Sequence, residues 1–165
     1  MNKGIEADFL PRGTNADSWP RSVGCSGMKE RRRILIVDND PNTTHLVKVL
    51  LERTGRYVVL EENDATKAHQ SARNFRPDLI LLDVVMRETD GGEVAARVEA
   101  DPELHNTPIV FLTALVTRAE AKSGLNIQGH PFLAKPVSIP ELIATIEEHL
   151  PMRPASHVSL PKERL

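Results

Sequence analysis

The sequence predicts an α/β fold in which helices wind both faces of a parallel five-stranded sheet, and three observations support that expectation. Five short aliphatic runs alternate with stretches of helical period, the arrangement that covers a parallel sheet on both sides. Hydrophobic residues make up 40% of the 165-residue chain and aromatics only 4%, so the core must be built mainly from Leu, Ile, Val and Ala. Four of the runs close on a polar residue, namely Asp38, Asp83, Thr113 and Lys135. In open α/β sheets the carboxyl ends of the strands share one crevice, where ligands bind. An acid, a hydroxyl and an ammonium are therefore expected to meet there, a set suited to a phosphoryl-accepting carboxylate.

Each element has its own signal. Ile34 to Val37 is the first strand, after which Asn39 or Asp40 can cap a helix with Pro41 in its first turn. Leu46, Val47, Leu50 and Leu51 supply that helix's apolar stripe, and Gly55 ends it. Tyr57 to Leu60 is the second strand. Asp64 is placed to cap a second helix bearing Ala65, Ala68, Ala72 and Phe75, with Arg76-Pro77 as its stop. Leu79 to Leu82 leads to Asp83, and Gly91-Gly92 opens a third helix with Val94, Ala95 and Val98 inward. Ile109 to Leu112 leads to Thr113, and a fourth helix is expected over roughly 117–123, before Gly124 and Gly129. Phe132 to Ala134 leads to Lys135-Pro136. Ser138 and Glu141 then form a capping box for a last helix, with Leu142, Ile146 and Leu150 on one face.

Charge and composition narrow the function classes. The net charge of −2 conceals a segregation. Residues 1–33 hold seven Lys/Arg against four Asp/Glu, whereas residues 34–150 hold eleven against eighteen. An acidic folded part argues against nucleic acid as its partner, because phosphate contacts need a clustered basic face. The single cysteine, Cys25, rules out an internal disulfide framework and offers no zinc spacing. No apolar run approaches the roughly 20 residues of a membrane span, and no signal peptide is evident, so a cytoplasmic protein is expected. Residues 1–30, mixed in composition and leading into the basic run Lys29-Glu30-Arg31-Arg32-Arg33, are expected to be a flexible basic arm. Residues 31–150 are expected to form the domain, and 151–165, punctuated by Pro151, Pro154 and Pro161, a short tail, with no output domain expected.

Four stretches taken in order resemble the receiver domain of bacterial two-component response regulators. Ile34-Leu35-Ile36-Val37-Asp38-Asn39-Asp40-Pro41 resembles the first strand and its acidic cluster. Leu82-Asp83-Val84-Val85-Met86, running on to Asp90-Gly91, resembles the acceptor strand and its D-x-x-M loop. Phe111-Leu112-Thr113-Ala114 resembles the switch-hydroxyl strand, and Phe132-Leu133-Ala134-Lys135-Pro136 the Lys-Pro ending of strand five. Each is weak alone; their order, with 135 − 113 = 22 positions from hydroxyl to lysine, makes the match specific.

The resemblance implies a (βα)5 flavodoxin-like sheet of order 2-1-3-4-5 and a chemistry to go with it. Asp83 would be the phosphoacceptor, receiving its group from a histidine kinase or a histidine phosphotransfer protein. Mg²⁺ would be held by Asp38, Asn39, Asp83 and the backbone carbonyl of Val85. Lys135 would pair with the phosphoryl oxygens and Thr113 would hydrogen-bond one of them, after which Thr113 and Phe132 would switch a protein-binding face. Output would be protein–protein interaction with a downstream partner, and isolated receivers can dimerise. Two positions depart from the pattern. Asn39 stands where the family usually has a second acid, and Arg87 where it favours proline; Asp40 is either a substitute ligand through water or an N-cap. Asn39 also supports a second reading, a degenerate receiver that docks without phosphorylation. A third is a phosphatase resembling the haloacid-dehalogenase superfamily, with Asp38-Asn39-Asp40 as its D-x-D. Within the leading reading the chain is not an enzyme, and Val85 and Leu115, two residues beyond acceptor and hydroxyl, imply slow self-dephosphorylation because neither can orient a water.

Overall fold

The computed structural model describes residues 30–87, 89–114 and 128–152. Strands β1 (Arg32–Val37), β2 (Tyr57–Glu62), β3 (Leu79–Asp83), β4 (Ile109–Thr113) and β5 (Phe132–Ala134) alternate with helices α1 (Pro41–Glu52), α2 (Ala68–Phe75), α3 (Gly91–Glu99) and α4 (Ile139–His149). All strand pairs are parallel, in the order β2-β1-β3-β4-β5, as expected. The helix expected over 117–123, Leu115, the chain before residue 30 and the tail from residue 153 lie outside the described residues.

Side-chain alternation along the strands sorts the core into two layers. Leu35, Val37, Ile80, Leu82, Phe111 and Phe132 point to one face, where Ala68 and Ala72 of α2 and Val94, Ala95 and Val98 of α3 cover them. Ile34, Ile36, Leu79, Leu81, Val110, Leu112 and Leu133 point to the other, beneath Leu51 of α1 and Leu142 and Ile146 of α4. Small alanines on α2 and α3 let those helices approach the sheet closely. This is the physical meaning of a chain rich in aliphatics and poor in aromatics.

Several local expectations shift. Asp40, not Asn39, caps α1, with its carboxylate accepting from the Asn42 N–H at 3.1 Å and the Thr43 hydroxyl at 2.7 Å. Leu46, assigned to the apolar stripe of α1, is 60% exposed: the stripe turns inward at Leu51, and Leu46 falls on the outer side. Asp64 does not cap α2. It accepts from the N–H and hydroxyl of Thr66 and pairs with Lys67 at 2.8 Å, making a separate turn, so α2 begins only at Ala68. Its stop at Arg76 holds, through a left-handed residue (φ 51°) whose N–H reaches the Ala72 carbonyl at 2.8 Å. Ser138 caps α4 as expected, its hydroxyl accepting from the Glu141 N–H at 3.4 Å, but the Glu141 carboxylate faces that hydroxyl and not the Ser138 N–H, so only half of the expected capping box forms. Leu104, in the turn after α3, is buried in the core although nothing in its periodicity marked it.

Candidate functional site

Strand register brings the polar strand ends level with one another. Val37 pairs with Leu82, so Asp38 and Asp83 stand side by side one step further on. Asp83 is opposite Leu112, and Thr113 is opposite Ala134, so the hydroxyl and Lys135 follow at the next two strand ends. The N–H of Lys135 donates to the Thr113 carbonyl at 2.7 Å, which continues the β4–β5 ladder past the strand and fixes where the lysine leaves it. The Lys135-Pro136 peptide is cis.

The lysine ammonium joins the two acids. Lys135 Nζ lies 2.5 Å from Asp38 Oδ2 and 3.1 Å from Asp83 Oδ2. Asp38 and Asp83 are 1% and 6% exposed and Thr113 is fully buried, positions where carboxylates persist only if their charge is answered. Burial pushes the ammonium down, but the hydrogen bond and charge of Asp38, followed by those of Asp83, outweigh it and hold Lys135 above its usual value.

The second oxygen of each acid is held by backbone. The Asp40 N–H donates to Asp38 Oδ1 at 2.9 Å and the Val85 N–H to Asp83 Oδ1 at 3.2 Å. Asn63, which no sequence signal singled out, donates to the Asp38 carbonyl at 2.7 Å and to the Thr44 hydroxyl at 3.0 Å, tying the end of β1 to α1. The loop after β3 is pinned from behind. Gly91 donates to the Val84 carbonyl, and a Cβ on it would lie 2.3 Å from the Asp83 carbonyl oxygen. Phe132 is buried in the core layer that also holds Phe111.

The donor chemistry suits a small hard cation. A carboxylate offers about four acceptor sites, and each acid here uses one oxygen for a backbone N–H and the other for Lys135, leaving lone pairs on both. Among the described residues no three His, Cys, Asp or Glu side chains gather as a metal-holding group. An ion at this place would be held by two carboxylates with neutral oxygens and water, the pattern Mg²⁺ favours. Of the sequence-predicted ligands, Asn39 is half-buried beside Asp38, and Val85 is 52% exposed with its N–H toward Asp83. Asp40 caps α1 with both oxygens, Oδ1 accepting from the Asn42 N–H and Oδ2 from the Thr43 hydroxyl.

Comparison with known proteins gives a consistent result. Residues 34–147 match the family model of the response regulator receiver domain. The chain is 34% identical over 114 residues to the DNA-binding dual master transcriptional regulator RpaA of Synechocystis, covering 69% of this chain and 47% of that protein. It therefore spans about half the length of that relative. It is 29% identical over 119 residues to the polar-differentiation response regulator DivK of Brucella anthropi, covering 72% of this chain and 96% of that one. Among solved structures, Vibrio cholerae chemotaxis protein CheY4 superposes with a TM-score of 0.64 at 26% identity, covering 73% of this chain and all of CheY4. Among the described residues no helix is long and apolar enough to cross a membrane.

Proposed function

The chain belongs to the response regulator receiver family, and from that premise we propose that it accepts a phosphoryl group on Asp83 and signals by protein–protein interaction. The observation behind the proposal is the convergence of two nearly buried carboxylates on one ammonium, at 2.5 and 3.1 Å. In the transfer, an Asp83 oxygen forms a bond to phosphorus while the phosphorus–nitrogen bond of a phosphohistidine breaks and its electron pair leaves on the imidazole. Lys135 is held where negative charge accumulates on the transferred oxygens, and its stabilisation grows as that charge develops. Mg²⁺, held by Asp38, Asp83, the Asn39 amide and the Val85 carbonyl, would neutralise the incoming charge. The donor is a histidine kinase or a histidine phosphotransfer protein, and the product exchanges with a downstream protein.

Output follows from local electrostatics. Phosphorylation adds negative charge next to Thr113 and takes Lys135 partly away from Asp38. We assign the readout to the β4–β5 side, with Thr113 moving toward the phosphoryl group and Phe132 repacking in the space this opens. A single-domain role draws support from DivK, 96% of whose length aligns with this chain. Val85, apolar beside the acceptor, supports slow loss of the phosphoryl group, since it cannot hold a water in line. A change to Val85→Asn should therefore quicken decay of pre-formed phosphoprotein.

The deciding experiment is labelling of the full chain with a small phosphodonor at saturating Mg²⁺. Wild-type protein should gain one phosphoryl group and Asp83→Asn none, because an amide is no nucleophile. Label retained on the variant sinks the assignment. The degenerate-receiver reading keeps one specific support: an amide, Asn39, stands beside Asp38 where a second acid is usual, and the neighbouring acid Asp40 caps α1. Beryllofluoride binding with Mg²⁺, followed at the Asp83 and Thr113 amides, separates it from a working receiver. As the acid/base of a D-x-D phosphatase, Asp40 would have to give up its cap to the Asn42 N–H and the Thr43 hydroxyl.

A further inference from the structure

A cleft of about 650 Å³ opens between the start of α1 and the loop after β3, with Asn39, Asp40, Asn63, Asp64, Met86 and Arg87 on its walls. Its walls adjoin the acidic site along the chain on two sides. Asn39 follows Asp38 directly, and Met86 and Arg87 come from the loop that Asp83 begins. Asn63, on the same wall, is bonded to the Asp38 carbonyl.

The negative charges on these walls are answered within the protein. The Thr43 hydroxyl and the Asn42 N–H bind Asp40 and hold its carboxyl below the usual range. The Lys67 ammonium, 2.8 Å from Asp64, and Thr66 bring Asp64 down to about 2. Arg87 differs. It is exposed and makes no hydrogen bond or ion pair among the described residues. The unanswered charge of the cleft is therefore a guanidinium, whose planar fork of donors matches a carboxylate.

We propose that Arg87 is a specificity-determining residue of the phosphoryl transfer, placed to receive the anionic leaving group of a small acyl-phosphate donor in the cleft beside Asp83. The inference rests on the phosphoacceptor reading above. With such a donor an Asp83 oxygen bonds to phosphorus, the bond from phosphorus to the acyl oxygen breaks, and its electron pair departs on a carboxylate. Negative charge builds on that oxygen in the transition state, so a nearby guanidinium stabilises the transition state more than the ground state. A phosphoramidate donor behaves differently. Its phosphorus–nitrogen bond breaks at a protonated nitrogen and neutral ammonia leaves, so no negative charge develops for Arg87 to stabilise.

The difference between donors provides the test. Labelling rates of the full chain are measured by intact mass at saturating Mg²⁺, with acetyl phosphate and with phosphoramidate, for wild type, Arg87→Ala and Arg87→Lys. Arg87→Ala should slow acetyl phosphate about five- to tenfold, the worth of one solvent-exposed charge contact. It should leave phosphoramidate unchanged within about twofold. Arg87→Lys should recover part of the loss, since the charge stays and the fork is gone. Equal slowing with both donors, or no slowing with acetyl phosphate while phosphoramidate still labels, overturns the inference alone. Wild-type protein that takes label from neither donor overturns the phosphoacceptor reading, and this inference falls with it.

Discussion

Replacing Lys135 with methionine removes the one cation between Asp38 and Asp83 and keeps most of the side-chain volume. The lysine side chain is 23% exposed and those of its partners 1% and 9%, with contacts of 2.5 and 3.1 Å. At an effective dielectric of about 20, unit charges at such separations attract by roughly 5 to 7 kcal/mol per contact. Most of that is offset by desolvation of three charged groups. What the substitution exposes is the remaining cost of two neighbouring acids without a counter-charge, about 3 to 5 kcal/mol for a buried pair that loses one partner. Because Lys135 is partly solvated, the lower end applies, about 3 kcal/mol. Urea denaturation without Mg²⁺ at pH 7 should show a midpoint lower by about 1.5 M, for a slope near 2 kcal/mol per molar. Since the folded-state pKa of Lys135 is raised, its stabilisation is complete below the unfolded value of roughly 10.4 and is lost as pH climbs through the higher folded value. The gap between wild type and variant should thus be flat through neutral pH and narrow only above about pH 10.4. Adding Asp83→Asn to Lys135→Met should recover more than about 1 kcal/mol, because one of the two unanswered acids is gone. A loss below about 1 kcal/mol at pH 7, or a double variant no more stable than the single, would refute this account of the site.

Three further outcomes follow from single contacts. Asn39→Asp should tighten Mg²⁺ binding in a titration followed by nuclear magnetic resonance, because it adds a carboxylate beside Asp38 where the chain has a neutral amide; unchanged affinity would mean that the added carboxylate does not reach the ion. Gly91→Ala should lower stability by about 2 kcal/mol in thermal or urea unfolding and slow labelling of Asp83. The new Cβ would stand 2.3 Å from the Asp83 carbonyl oxygen and 2.9 Å from the Val84 Cα, a backbone clash that outweighs the helix-propensity gain of about 1 kcal/mol. Glu52→Ala should cost about 1 to 2 kcal/mol and promote concentration-dependent association visible by light scattering. From α1, Glu52 accepts the N–H of Val59 on edge strand β2 at 3.0 Å and Lys48 donates to the Val59 carbonyl at 2.8 Å, so this helix pair closes a backbone edge that another strand could otherwise join.

Much of the fold is legible in the sequence because its signals are local. The run Leu79-Ile80-Leu81-Leu82 can be satisfied only by burial on both faces, and it lies at the centre of the sheet with every residue buried. Ser138 marks the start of α4 because an N-cap and the N–H it receives, that of Glu141, lie within four residues. Asp64 misleads for the same reason in reverse: an acid ahead of an alanine-rich stretch suits either a cap or a turn, and the adjacent Thr66 and Lys67 decide for the turn. Leu46 misleads because a stripe of helical period has two borders, and only packing on the sheet says which one faces water.

By itself the sequence determined the order of the described strands and helices, the identity of the polar strand ends and the absence of a second acid at Asn39, since each depends on residues close together in the chain. The tertiary structure alone decided how those ends meet. Parallel register across four strand pairs sets Asp38 level with Asp83 and carries Lys135 to within hydrogen-bonding distance of both. It also decided that Asp40 caps α1, that Asn63 ties Asp38 to α1, and that Arg87 lines a cleft with Asn39, Asp40 and Asn63. The reason is physical: a hydrogen bond or ion pair between residues tens of positions apart is fixed by strand register and loop path, which arise from packing the whole sheet and leave no periodic trace in the chain.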